Sequence, residues 1–365
     1  MIKQAFLIKN WHSILPMIAI GLTISTWSKY FSVSIMLMLS LLLILSVFSA
    51  VHHAELIALK VGEPFGSLIL AVSVTVIEVG MIVVLFLNSP IKNQNLARDT
   101  VFSAVMITTT GIVGTAFLVK SIRQREATFN AFGAGSALAA LAALCTLTLI
   151  LPSFTVSSPG PTFTNTQLAF AAIISLTIYF TFIAVQTIRH RDYFLPPVNK
   201  NKEIDIESHV SPPSAQQAYI SLALLLVSLV SVVGLAKTTS PLIQDFVDDR
   251  NLPQTVVAIT IALIVLMPES ISAFKAAKYG RTQTSLNLAY GSALASIGLT
   301  IPAISIISIV NSYSINLGLN PAEIVLASLA FFVSTLTVVT GKASLLQSVV
   351  HLSIFGSFLV FAVSP

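Results

Sequence analysis

Charge is what this sequence most lacks. Only 9% of its 365 residues are Asp, Glu, Lys or Arg, where a soluble domain carries about a quarter. So few charges cannot cover a water-facing surface. With 55% hydrophobic residues and a mean hydropathy of +0.91, the chain reads as an all-α polytopic membrane protein whose first partner is the lipid bilayer. Cysteine is nearly absent as well. The single Cys145, in an apolar run, excludes an internal disulfide and a cysteine-based metal site. No HExxH pair, phosphate-binding glycine loop or nucleophile with a paired base occurs, so enzyme chemistry, including an intramembrane hydrolase, has no carrier. The net charge of +5 is modest and gives no reason to invoke nucleic acid.

Long apolar runs dominate the rest. Segments able to cross about 30 Å as helices fall near 11–30, 33–51, 66–88, 99–119, 134–153, 166–188, 217–236, 253–274, 284–311, 319–340 and 343–363. That makes eleven, with ten or twelve left open by the narrow gaps in the first and last pairs. Lys3 and Lys9 precede the first run, but no small-residue cleavage site follows, so that run is expected to remain as a helix. Basic residues orient the chain. With the N-terminus inside, fourteen of the nineteen Lys and Arg residues are cytoplasmic and only Lys29, Lys92, Arg98, Lys237 and Arg250 lie outside. The expected arrangement is a cytoplasmic (inner) membrane protein with its N-terminus cytoplasmic and its C-terminus outside.

One long polar stretch, 189–217, carries prolines and charges without apolar periodicity and reads as a cytoplasmic linker. It divides the chain into an extra N-terminal helix (1–32), a first repeat (33–188), the linker (189–216) and a second repeat (217–365). Five spans per half give the halves opposite orientation, the inverted-repeat arrangement of secondary transporters.

Only two carboxylates fall deep within these spans, Glu78 in "SVTVIEVGMIVV" and Glu269 in "IVLMPESISAF". Each lies in the second helix of its half, 191 residues apart. A helix rich in hydroxyls follows each: Ser103 comes 25 residues after Glu78, and Ser292 comes 23 after Glu269. Such elements are expected to meet near the midplane. Pro268 cannot donate a backbone hydrogen bond, which frees the carbonyl of Ile264, and freed carbonyls at membrane depth line cavities. Two carboxylates, a carbonyl and hydroxyls form an all-oxygen set, the kind that Ca²⁺ takes with roughly 6 to 8 ligands.

Plainer readings compete. A lone intramembrane Glu can be a neutral residue bonded to a neighbouring helix, though two at matching places in opposed halves argue against that. Thr108, Thr109 and Thr110 read as packing or backbone-bonding residues, and Gly291 and Gly298 as points of close helix approach. His52, His53, Glu55 and Glu63 could form a titratable cytoplasmic approach to the site, or a solvated interfacial loop. His351 reads as a hydrogen-bonded packing residue.

Two stretches carry a family resemblance. "HAELIALKVGEPFGSLILAVSVTVIEV", 53–79, resembles the first repeat of calcium/proton exchangers in the cation/calcium exchanger superfamily. "ESISAFKAAKYGRTQTSLNLAYGSALASIGLTIP", 269–302, resembles their second. The resemblance implies an eleven-helix fold with two inverted repeats of five. It implies Glu78 and Glu269 as the ion- and proton-binding carboxylates, the metal ligands of the transport site, with Ser103 and Ser292 as nearby hydroxyls. Ca²⁺ exported in exchange for H⁺ is the expected activity. The ions are cargo, and no cofactor is expected. Many such exchangers carry Gly-Asn shortly before each Glu, whereas Val74-Thr75 and Val265-Leu266 stand here. The amide is missing from both repeats, with only the Thr75 hydroxyl in its place. Na⁺ or K⁺ therefore stands as an additional or alternative substrate.

Overall fold

A computed structural model describes residues 11–27, 31–62, 65–88, 93–195 and 213–364. Among them eleven helices run in chain order: α1 (Trp11–Thr26), α2 (Val33–Val61), α3 (Phe65–Asn88), α4 (Leu96–Gln124), α5 (Ala131–Phe154), α6 (Asn165–Arg189), α7 (Ala215–Asp249), α8 (Thr255–Lys278), α9 (Thr282–Asn311), α10 (Pro321–Val339) and α11 (Leu345–Val363). Ten are long and apolar enough to cross a membrane. The sixteen residues of α1 rise about 24 Å at 1.5 Å each, which makes it the shortest. The protein is a polytopic membrane protein, and the helix count is the one expected.

Helix dominates because hydrocarbon offers no water to unpaired backbone groups, so each segment must satisfy its own. The ends show the same pressure. Thr164 with Gln167, Ser214 with Gln217, Asn320 with Glu323 and Ser344 with Gln347 form reciprocal capping boxes at the starts of α6, α7, α10 and α11. Each satisfies two donors that the first turn leaves over.

Two helices run further than hydropathy indicates. α2 continues past residue 51 to Val61, taking in His52, His53, Glu55 and Lys60, and α7 continues past 236 to Asp249. Polar residues do not end a helix that has passed beyond the hydrocarbon. Helices α4, α5 and α6 each contain a widened π segment, at Ile107–Ile112, Thr146–Ile150 and Val185–Arg189. The polar stretch after α6 starts packed. Phe194 is buried near Phe182, and the Asn287 amide donates to its carbonyl at 2.6 Å. Residues 196–212 lie outside the described set.

The chain forms two compact units, each discontinuous in sequence. The first comprises residues 1–88 and 199–250, hence α1, α2, α3 and α7. Within it α2 packs along α7, and α1 and α3 also pack on these two helices. The second comprises 89–198 and 251–365, hence α4–α6 and α8–α11. Its centre is α4, whose apolar window is 89% buried against 28% for α11.

Contacts within the second unit pair loops on common faces. Strand β1 (Glu126–Thr128) runs antiparallel to β2 (Lys342–Ser344), with the Lys342 ammonium 3.1 Å from the Glu126 carboxylate. At the other end of α4, the amide of Asn316 donates to the Gln94 carbonyl at 3.1 Å. Six helices separate the members of each pair, so an even number of crossings returns the chain to one side.

Cys145 is buried and should stay silent to thiol reagents. A cysteine placed at Glu126 should react with an impermeant reagent from the cytoplasmic face, and one at Asp248 from the opposite face. Reaction of both from one face would contradict the three spans, α5 to α7, that separate them.

Candidate functional site

In the first unit, Glu78 stands midway along α3 and is only 3% exposed. Two residues on, Gly80 lets α3 approach α7 so closely that an added Cβ would lie 2.5 Å from the Val233 side chain. Thr75, three residues before Glu78 and so on the same helix face, is also buried; its hydroxyl donates to the Ala71 carbonyl at 2.9 Å. That leaves the oxygen's lone pairs for a further partner.

In the second unit, Glu269 lies well inside α8, directly after Pro268, and is 7% exposed. The helix runs on through the proline, so the Ile264 carbonyl has no N–H four residues ahead of it. The Ile264 side chain itself is half-buried. Helices α4, α8 and α9 pack on one another, and they carry Ser103, Glu269 and Ser292 respectively. Ser103 is fully buried and donates to the Asp99 carbonyl, while Ser292 is half-buried. Glu269, Ser103, Ser292 and Ile264 thus belong to one unit, and Glu78 and Thr75 to the other.

The two residues that precede each glutamate by three to four positions, Val74 and Thr75 in α3 and Val265 and Leu266 in α8, are all buried, and no side chain among them but that of Thr75 offers a polar atom.

Other sequence expectations divide. Thr108 and Thr109 donate to the carbonyls of Ala104 at 2.7 Å and Val105 at 2.6 Å, and Thr110 to that of Met106, the backbone bonding expected of them. His351 is fully buried, with Nδ1 3.2 Å from the Thr109 carbonyl and Nε2 3.3 Å from the Thr337 hydroxyl. Gly298 does permit close packing, since a Cβ there would lie 2.6 Å from that of Tyr179. Gly291 does not: nothing lies within 4 Å of the position a Cβ would take.

His52, His53 and Glu55 are not in a loop but on the last turns of α2. His53 is 2% exposed, its Nε2 lies 3.0 Å from the His12 carbonyl, and the His12 and His52 rings stack at 3.9 Å. These imidazoles join α1 to α2. Glu55 is exposed, and Glu63 lies outside the described residues.

Sequence reading missed a second pair of buried carboxylates, Asp99 and Glu323, which are 2% and 8% exposed. Asp99 accepts from Arg98 Nε at 2.7 Å and from the Thr255 hydroxyl at 3.2 Å. Arg98 reaches on to the Gly318 carbonyl at 3.0 Å. Glu323 accepts from the Asn320 backbone N–H at 2.9 Å. Both acids stand in the first turn of a helix, where the helix dipole favours negative charge. Their sequence signal is a charge at the edge of an apolar run, which reads equally well as a wet loop.

The family described as sodium/calcium exchanger protein matches residues 31–188 and 220–364. The chain belongs to that family. The two matched parts hold α2–α6 and α7–α11, five helices each, and α1 precedes them. Among relatives of this exchanger, protein y4hA of Sinorhizobium fredii (strain NBRC 101917 / NGR234) is 41% identical over 97% of this chain and 96% of its own. The sodium-potassium/proton antiporter ChaA of Escherichia coli (strain K12) is 29% identical, over 96% of each. In solved structures the fold recurs in the H⁺/Ca²⁺ exchanger CAX, with TM-score 0.71 and 14% identity over 98% of this chain and 88% of that one. It recurs also in YfkE, with TM-score 0.70 and 15% identity over 97% and 100%. These likenesses place the exchanger among transporters.

The Arg98 network makes a stability prediction. Replacing Arg98 with Met should strand a buried carboxylate and cost about 3–5 kcal/mol, whereas Thr255→Val should cost about 1 kcal/mol. Thermal unfolding of the purified variants checks both. Arg98→Met unfolding within error of the parent would show that the pair contributes nothing.

Proposed function

We propose that this cation antiporter exchanges protons for Ca²⁺, with Glu78 and Glu269 as the paired carboxylates that carry either. The observation that supports it is the burial of one mid-helix carboxylate in the second helix of each family-matched half. A buried carboxylate is tolerated when a proton or a cation neutralises it. Two of them match the charge of one Ca²⁺ or of two protons. A proton must leave before the cation binds, so with access alternating between the membrane faces the two fluxes are coupled without any other energy source. Thr75, Ser103, Ser292 and the Ile264 carbonyl are the neutral oxygens proposed to complete the cargo's shell. The membrane is the cytoplasmic one, with the N-terminus inside and the C-terminus outside, so that Ca²⁺ leaves the cell as protons enter.

A second reading, Na⁺/H⁺ or K⁺/H⁺ exchange, draws support from two observations. The relative ChaA is named a sodium-potassium/proton antiporter, and the buried Val74, Val265 and Leu266 offer no amide oxygen. A weaker ligand field relaxes the preference for a divalent ion, and a monovalent ion could then bind with one of the two carboxylates still protonated.

Inverted vesicles carrying an imposed pH gradient separate the readings. Ca²⁺, Na⁺ and K⁺ are added singly, and proton movement is followed. The Ca²⁺ reading expects the strongest response to Ca²⁺, rising with pH because protons compete for the same oxygens. Response to Na⁺ or K⁺ alone would replace it with the second reading. Glu78→Gln and Glu269→Gln should each insert normally and abolish the response. Either leaves a divalent ion facing one carboxylate, and a loss of roughly 4 kcal/mol weakens binding about a thousandfold. Robust exchange by either variant would remove that residue from the mechanism.

A further inference from the structure

A crevice of about 630 Å³ opens in the second unit between α4, α8 and α11. It lies within the range of about 300–1,000 Å³ usual for small-molecule sites, and its walls are built in rows. On α8, Leu263, Met267 and Ile271 follow one another at four-residue intervals, continue to Phe274, and end at Lys275 and Lys278. On α4, Ile107, Gly111 and Thr115 repeat the same interval within and just after the π segment. Leu352 and Phe355 of α11 close the far side.

Residues four apart share a helix face, so this is a trough along the helix axes rather than a round cavity. From Leu263 to Lys278 it runs about 22 Å at 1.5 Å per residue, longer than one leaflet's half of a hydrocarbon core about 30 Å thick. Leu263, Ile271 and Phe274 remain exposed along it.

One end is strongly basic. Lys275 and Lys278 are exposed at the rim beside Tyr279. Arg123 is held there by its bond to the Lys278 carbonyl at 3.0 Å, and Lys120 by its bond to the Gly280 carbonyl at 3.1 Å. No acidic residue follows Asp99 in α4, none occurs in α11, and Glu269 is the sole acid of α8. Beyond α4, Glu126 is bridged to Lys342.

We propose that the trough between α4, α8 and α11 holds an acyl chain of an anionic phospholipid, with the headgroup phosphate on Lys275 and Lys278. A linear apolar channel fits a chain, and basic pockets at the ends of membrane helices attract anionic headgroups. Tyr279 is an amphipathic side chain of the kind that settles at headgroup level. The site is separate from the cargo carboxylates: it presents the face of α8 that carries Met267 and Ile271, and Glu269 is not among its lining residues. An occupant there would steady α8 against α4.

Native mass spectrometry of the purified full chain tests this, with phosphatidylglycerol and phosphatidylethanolamine of identical acyl chains as probes. The parent should retain phosphatidylglycerol in preference. Lys275→Gln combined with Lys278→Gln should lower that preference roughly ten- to thirtyfold, whereas Lys60→Gln on α2 should leave it unchanged. Ile271→Trp, which fills the trough and keeps both lysines, should reduce retention of either lipid. Equal retention of the two lipids by the parent, an unchanged preference in the double variant, or a lipid-free dimer that covers this face would each overturn the proposal.

Discussion

Hydrocarbon provides no water for a polar group, and most of this structure follows from that constraint. Backbone groups are satisfied inside long helices, and hydroxyls turn back to carbonyls one turn earlier, as Ser73, Thr75, Thr108 and Thr109 do. The same constraint sorts the buried carboxylates by position. Asp99 and Glu323 stand in first turns, with an arginine, a hydroxyl or a capping amide as partner. Glu78 and Glu269 stand in mid-helix, where burial favours them only when neutralised. The first pair is held by these bonds at helix starts, and the proposed function assigns the second to cargo.

Much of the architecture was legible in the sequence because the bilayer imposes a minimum length on each apolar run. All eleven runs correspond to helices, and the capping boxes at Thr164, Ser214, Asn320 and Ser344 mark starts that hydropathy alone leaves blurred. The ends of α2 and α7 were not legible. Hydropathy reports where hydrocarbon stops, and a helix that continues into the interface with His52, His53 and Glu55 looks like a loop. The division into two units was hidden for a different reason. α7 joins α1–α3 across more than a hundred residues of intervening chain, and no local pattern reports such packing.

The candidate site was partly legible. A lone carboxylate in a long apolar run is costly enough to be noticed, which is why Glu78 and Glu269 stand out. The burial of Arg98 and Asp99 is not legible because they meet remote groups: Arg98 the Gly318 carbonyl 220 positions away, and Asp99 the Thr255 hydroxyl 156 positions away. Glu323 bonds locally to Asn320, and such a cap at the edge of an apolar run reads equally well as a wet helix start. The side chains of Val74, Val265 and Leu266 are buried, and the second reading under the proposed function draws on them. Under the proposed function, apolar side chains at these positions leave the cargo to the carboxylates, the hydroxyls and the Ile264 carbonyl.

The central claim is that protons and cations compete for the same two carboxylates, and proton release on binding measures this without any membrane gradient. Purified exchanger in a lightly buffered solution near neutral pH, with Ca²⁺ added and both heat and free protons recorded, should release protons in proportion to Ca²⁺ bound. That release should disappear when Glu78 and Glu269 are both Gln. Ca²⁺ binding to the parent protein with no proton release would contradict the account.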